Sequence, residues 1–137
     1  MEWKKGPYTV EDDKQRLDLF YLVPALQQSY WAAGRPREVI EESITHSVCL
    51  GLYQDDRQIG FARAVTDKCT FAWVCDVMVH PDYRGVGLGK FLMDCLSAHP
   101  DVVRCSQHLL RTDDAHGLYE QYGYSVCEAM ARRTSSD

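Results

Sequence analysis

The chain has 137 residues and a formal charge of −5, enough for one domain (1–137) with an ordinary hydrophobic core and too little for a second. The acidic balance argues against nucleic acid or an anionic membrane surface as partner, because both call for a basic face, and it suits a cationic amine better. Six cysteines show neither C-x-x-C spacing nor a histidine at metal-ligand spacing, Met1 to Asp12 lacks the order of a secretion signal, and no apolar run is long enough to span a bilayer, so the expectation is a cytoplasmic protein with reduced thiols and no metal site.

In chain order, Pro7 to Val10 is a candidate first strand, and Leu17 to Tyr30 is helical in tendency, with Pro24 expected to kink or divide it. Ala32 to Pro36 breaks that helix. Pro36 opens a second one, with Val39, Ile40, Ser43 and Ile44 on one face and Glu38, Glu41 and Glu42 on the other, stopping near His46. Val48, Leu50 and Leu52 alternate with Cys49, Gly51 and Tyr53, and Asp55-Asp56-Arg57 turns the chain into Ile59 to Val65, a hairpin. A third strand runs from about Thr70 to Val79, and its load of Phe, Trp and Val predicts burial on both faces. A helix from Leu88 to Ala98 follows, then a strand over Val102 to Leu110, a short helix over Asp113 to Tyr122 closed by Gly123, and a final strand over Ser125 to Arg132. The tail from Thr134 to Asp137 is expected to fray.

The most informative stretch is Val77 to Leu92. An apolar strand runs into Arg84-Gly85-Val86-Gly87-Leu88-Gly89-Lys90, and apolar residues then recur at Leu88, Phe91, Leu92, Cys95 and Leu96 with helical spacing. Glycines at alternate positions let the backbone approach a ligand, their amides converge on one anion, and the helix dipole adds positive potential. Arg84 and Lys90 supply two cations, so the loop is a candidate diphosphate seat. It is not a nucleoside triphosphate loop, since Lys90 is followed by Phe91 where that loop needs Ser or Thr. Nor is it a dinucleotide fingerprint, whose third glycine would fall on Lys90 or Leu92.

The run Arg84-x-x-Gly87-x-Gly89, preceded by a strand and His80-Pro81, resembles the acetyl-CoA loop of the GCN5-related N-acetyltransferases. Ala115-His116-Gly117-Leu118-Tyr119-Glu120-Gln121-Tyr122-Gly123-Tyr124 is similar to that family's second signature, Ala-x-x-Leu-Tyr-Glu-x-x-Gly-aromatic. The resemblance spans about Phe71 to Tyr124, and before that only the order of elements matches.

It implies an α/β fold in which a mixed, mostly antiparallel sheet of about six strands, flanked by about four helices, splays apart at the cofactor site. Acetyl-CoA would be held by the backbone of Val77, Met78 and Val79, paired with the pantetheine arm as if it were an extra strand, and by the loop Arg84, Gly85, Val86, Gly87, Leu88, Gly89 and Lys90. Thr112 stands where the family often has an asparagine for the same arm. An amine would attack the acetyl carbon directly, one strand amide polarising the thioester carbonyl, with Tyr119 as the acid that protonates the departing sulfur. Tyr122 and Tyr124 are held in reserve.

The acceptor, a small-molecule or a peptide or protein amine, would meet Tyr30, Trp31, Arg35, Phe71, Trp73 and Asp76. Asp76, Asp67 and Asp113 are the candidate general bases, beside a water relay or an amine that arrives neutral. His80 belongs to the turn. Between Gly123 and the tail there is only Tyr124 to Arg133, room for one strand where the family has two more, so the acceptor pocket is expected to be open in a monomer or completed by a second subunit in a homodimer. The other function class is a non-catalytic acyl-CoA-binding or regulatory module.

Overall fold

The computed structural model describes residues 1–134, built on a six-stranded sheet whose spatial order is the order of the chain. The chain starts with a hairpin in which β1 (Glu2–Lys5) pairs antiparallel with β2 (Tyr8–Glu11) across Gly6, at φ 57°, and Pro7. The strand expected first, from Pro7 to Val10, forms as Tyr8–Glu11 but is the second, because Glu2–Lys5 precedes it. β1 carries one apolar residue, Trp3, which packs on the core, and an exposed edge strand can carry charge elsewhere.

Asp18 caps α1 (Leu19–Gln27) by accepting from the Phe20 amide. Pro24 lies inside α1 and does not divide it. The carbonyl it leaves without a helical donor belongs to the exposed Phe20, where water can supply one. α2 (Arg37–Thr45) starts after Pro36 and buries Ile40 and Ile44, while Val39 stays exposed, so its apolar stripe is narrower than expected. Both helices cover one sheet face, with Leu22, Val23, Leu26, Ile40 and Ile44 against Cys49 and Phe61.

β3 (Val48–Gln54) and β4 (Arg57–Thr66) form the central hairpin, and β5 (Phe71–Val79) pairs antiparallel with β4. Burial on both faces belongs to β3. In β5 only Ala72, Val74 and Asp76 are buried, while Phe71, Trp73 and Cys75 are half-buried, because helices α1 and α2 leave that end of the sheet partly open.

α3 (Leu88–Ala98) has the limits expected and packs on the other face, setting Leu88, Phe91, Leu92, Met93, Cys95 and Leu96 against Leu50, Leu52, Ala62, Ala64, Ala72 and Val74. Each such fully buried leucine contributes roughly 1.5–3 kcal/mol.

The stretch expected as a strand from Val102 starts instead as a short helix, α4 (Pro100–Val103), with Pro100 in the first turn and His99 Nδ1 accepting from the Asp101 amide. β6 is only Gln107–Leu110 and α5 only His116–Glu120. The expected last strand, Ser125 to Arg132, does not form: residues 124–133 carry no helix or strand, with Val126 and Met130 exposed. The sixth strand is β1, at the opposite edge. Of the tail expected to fray, Ser135 to Asp137 lie outside the described residues.

Among the described residues β6 is the one parallel strand. Its register with β5 runs from Phe71↔Gln107 to Val74↔Leu110 and stops. Beyond that point Cys75–Val79 pairs only with β4, leaving its other edge free among the described residues. This is the splay implied by the resemblance.

Candidate functional site

A bulge sits just past the point where β5 and β6 part. Phe61 faces Met78 and Arg63 faces Cys75, so Ala62 alone opposes Asp76 and Val77. Asp76 takes φ 54°, a conformation L side chains avoid. The extra residue reverses the phase of the strand. Ala72 and Val74 contribute to the α3-side core before the bulge, as do Val77 and Val79 after it, while Met78 packs against the cluster under α1 and α2.

Asp76 thus turns to the α1–α2 side, where its side chain is 1% exposed. Its Oδ1 accepts from Trp31 Nε1 at 2.9 Å, and its Oδ2 accepts from Arg63 Nε at 2.9 Å and from Arg35 Nη1 at 3.0 Å. Arg63 also donates to Ser47 Oγ. Three of the expected acceptor-side residues, Trp31, Arg35 and Asp76, are therefore one cluster. Arg63 completes it and was missing from the expectation. An arginine within the strand Ile59-Gly60-Phe61-Ala62-Arg63-Ala64 was the available signal, because a buried charge needs a partner.

From Trp31 the contacts cross the splay. Tyr30 stands edge-on to Trp31, ring centroids 5.2 Å apart, and its hydroxyl reaches Asp114 Oδ1 at 3.3 Å in the loop between β6 and α5. Thr112 Oγ1 in that loop accepts from the Ala115 amide and so helps start α5. Tyr119 of α5 packs on the same core cluster as Val77, Val79 and Tyr124, its ring 6.0 Å from that of Tyr124. Burial, and then the nearby Tyr30, Tyr122 and Asp114, push the Tyr119 phenol above its ordinary value. It stays protonated through neutral pH. The hydroxyl of Tyr124 is buried with no partner among the described residues.

At the other end of the free edge, His80 Nδ1 accepts from the Asp82 amide and shapes the turn Pro81–Tyr83, consistent with its expected place in the turn. Gly85 and Gly87 follow at φ 86° and 82°, which turns successive amides to one side, and Gly87 opens α3. The amides of Gly85, Val86 and Gly87, with those of Leu88, Gly89 and Lys90 in the first turn, find no acceptor among the described residues. The seat in front of them is open: a Cβ built on Gly85 or Gly89 would meet nothing within 4 Å.

The expected cations are turned elsewhere. Arg84 Nε donates to the Val79 carbonyl at 3.1 Å, and Lys90 Nζ donates to Asp94 at 3.1 Å. Lys5, from the unexpected β1, stands at Gly87 instead: its Nζ is 3.7 Å from where a Cβ on Gly87 would lie.

Other expected residues lie apart. Phe71 and Trp73 belong to the paired part of β5, opposite Gln107 and Leu109. Asp67 caps the turn between β4 and β5, accepting from the amides of Cys69 and Thr70 and the Thr70 hydroxyl, and those bonds, led by the Thr70 hydroxyl, hold its carboxyl below its ordinary value. That turn and a polar cavity of ≈ 400 Å³ lined by Asp12, Lys14, His46, Lys68 and His99 lie at the end of the sheet away from the glycine loop. Neither joins the cluster. Asp113 is exposed, with no side-chain hydrogen bond among the described residues. No helix of the described residues is long and apolar enough to cross a membrane, and among them no group of three or more His, Cys, Asp or Glu could hold a metal ion.

Comparison with known proteins agrees on one kind of activity. The family model for an acetyltransferase (GNAT) domain matches residues 45–126. A solved structure assigned to the GNAT acetyltransferase family, from Xanthomonas campestris pv. campestris, is 39% identical, covers 93% of each chain and superposes with a TM-score of 0.89. A protein named as an acetyltransferase in Gibberella zeae is 27% identical over 83% of this chain and 77% of its own. An uncharacterized N-acetyltransferase of Gracilaria tenuistipitata var. liui is 33% identical over 67% of this chain and 61% of its own.

Proposed function

Since the chain belongs to the GNAT acetyltransferase family, we propose that it transfers acetyl from acetyl-CoA to a primary amine, and that Tyr119 protonates the departing sulfur. The observation that carries this reading is the row of unpaired amides from Gly85 to Lys90 before an open seat, continuous with the unpaired edge of Cys75–Val79.

Acetyl-CoA, when bound, supplies an acyl carbon activated as a thioester. The residues present fit it. The loop amides of Gly85, Val86, Gly87, Leu88, Gly89 and Lys90 suit a diphosphate, while Arg84 next to them gives its Nε to the Val79 carbonyl. The free edge at Val77, Met78 and Val79 suits the amides of the pantetheine arm, and Thr112 lies in the loop that follows β6.

Tyr119 can act as a donor because a phenol is protonated at neutral pH, and burial moves it further in that direction. Asp76 is a positioning residue. Its oxygens are engaged by an indole and two guanidiniums, so it holds the bulge and fastens the Tyr30–Arg35 loop over the splay. Engaged in that way and shut off from solvent, its oxygens face protein donors rather than an incoming amine. Asp114, with Tyr30 at its edge, offers an incoming ammonium group a carboxylate at the mouth.

Thermal unfolding with and without acetyl-CoA tests the donor, using a Gly87→Glu variant to block the seat. A ligand at 100 times its dissociation constant adds about 2.7 kcal/mol of stability. The parent should shift upward and the variant should not. A parent with no shift ends the reading. With an accepted amine in hand, Tyr119→Phe should lower kcat about 100-fold at unchanged donor affinity, and equal turnover would remove Tyr119 as the acid.

A further inference from the structure

We propose that Lys5, on a strand outside both sequence motifs, is the side-chain cation that pairs with the diphosphate of the donor, an assignment that rests on the donor reading above.

The sheet register brings Lys5 there. Lys5 pairs with Tyr8 at the tip of the β1–β2 hairpin, Tyr8 pairs with Gln54 at the end of β3, and Gln54 Oε1 accepts from the Tyr83 hydroxyl at 2.9 Å. Tyr83 directly precedes Arg84 and the glycines. The hairpin tip and the loop are thus fixed to the same corner of the sheet by backbone pairing and one side-chain bond.

At that corner Lys5 Nζ lies 3.7 Å from a Cβ built on Gly87 and 6.0 Å from the centre of the Phe91 ring in the first turn of α3. The ammonium therefore hangs over the helix start, on the side a residue-87 side chain would occupy. Among the described residues Lys5 has no carboxylate partner, whereas its neighbour Lys4 takes Glu2 at 3.5 Å, Lys90 takes Asp94, and Arg84 Nε is held by the Val79 carbonyl. An unpaired ammonium beside a row of unpaired amides is a complementary pair of features. The amides supply directed hydrogen bonds, and the ammonium supplies the unit charge that neutral amides lack.

The test measures dissociation constants of CoA and 3′-dephospho-CoA, which share the diphosphate and differ in the ribose phosphate, for the parent, Lys5→Gln and Lys4→Ala at low salt. Lys5→Gln keeps most of the stem and removes the charge. The unliganded melting temperature reports whether the edge strand survives the change. Lys5→Gln should weaken both ligands by the same factor, about fivefold, the scale of one partly exposed charge pair, and the gap should narrow with added salt. Lys4→Ala should bind like the parent. Unchanged affinity in a folded Lys5→Gln, or a loss confined to CoA, overturns the assignment while leaving the donor reading in place. A parent that binds neither ligand removes both.

Discussion

The glycine loop and the Asp76 bulge sit at the two ends of one free strand edge, yet they hold their shapes by opposite means. In the loop, the amides from Gly85 to Lys90 are left without partners and no side chain fills the space before Gly85 or Gly89. At the bulge, both oxygens of Asp76 are taken and three side chains converge on a residue in a strained backbone state. A ligand seat needs unmet hydrogen bonds, whereas a strained support must have its own fully met.

The bulge should give the larger response to substitution. Asp76→Ala leaves two nearly buried guanidiniums without a counter-charge, and about 3–5 kcal/mol of stability should go, read as a lower urea midpoint at unchanged slope. Asp76→Gly loses the same charge but accepts φ 54°, so it should recover about 1 kcal/mol of that. A loss in Asp76→Ala below about 1 kcal/mol would mean the carboxylate does not hold the bulge.

Alkaline titration probes the packing behind both regions. Burial pushes the thiols of Cys49, on the bulge side, and Cys95, in the helix behind the loop, up to about 12 from an ordinary 9.0. Between those values the folded state holds protons that the unfolded state has lost. Their contribution is therefore complete below pH 9 and lost as pH rises toward 12, at up to about 1.4 kcal/mol per thiol per pH unit. Cys95→Ala should reduce the slope, and stability that stays level from pH 9 to 10.5 in the parent would refute the burial of both thiols.

The loop should give the smallest response and the most contrary one. Gly89 lies in the first turn of α3 with nothing within 4 Å of an added Cβ, so Gly89→Ala should raise stability by about 0.5–1 kcal/mol. The same methyl group stands in the seat and should weaken acetyl-CoA severalfold. A variant that gains in both measurements would show that the seat does not use that face of the turn.

What could be read from the sequence was what lies close together in it. The loop, the limits of α3 and the second signature around Tyr119 each occupy one short run of residues, so neighbouring letters suffice to mark them. The partners of Asp76 come from positions 31, 35 and 63, and no periodicity joins them. A run read as apolar on both faces also hides the bulge along Phe71–Val79, since it shows no period from which an inserted residue could depart. Lys5 was out of reach because β1 has a single apolar residue to announce it. Ser125 to Arg132 erred in the other direction: strand-like composition did not secure a partner strand. Pro100, by contrast, was a helix-start signal that the adjacent Val102 and Val103 obscured.

A sheet whose spatial order is its chain order has an uneven distribution of closure costs. β1 to β5 are each laid beside the strand before, with α1 and α2 the one long detour, between β2 and β3. β6 instead returns parallel to β5 only after residues 80–106, which hold the glycine loop, α3 and α4. Because closure entropy grows only with the logarithm of loop length, this long return costs little more than a short one would, and the buried Val102 and Cys105 fix where it ends against the core.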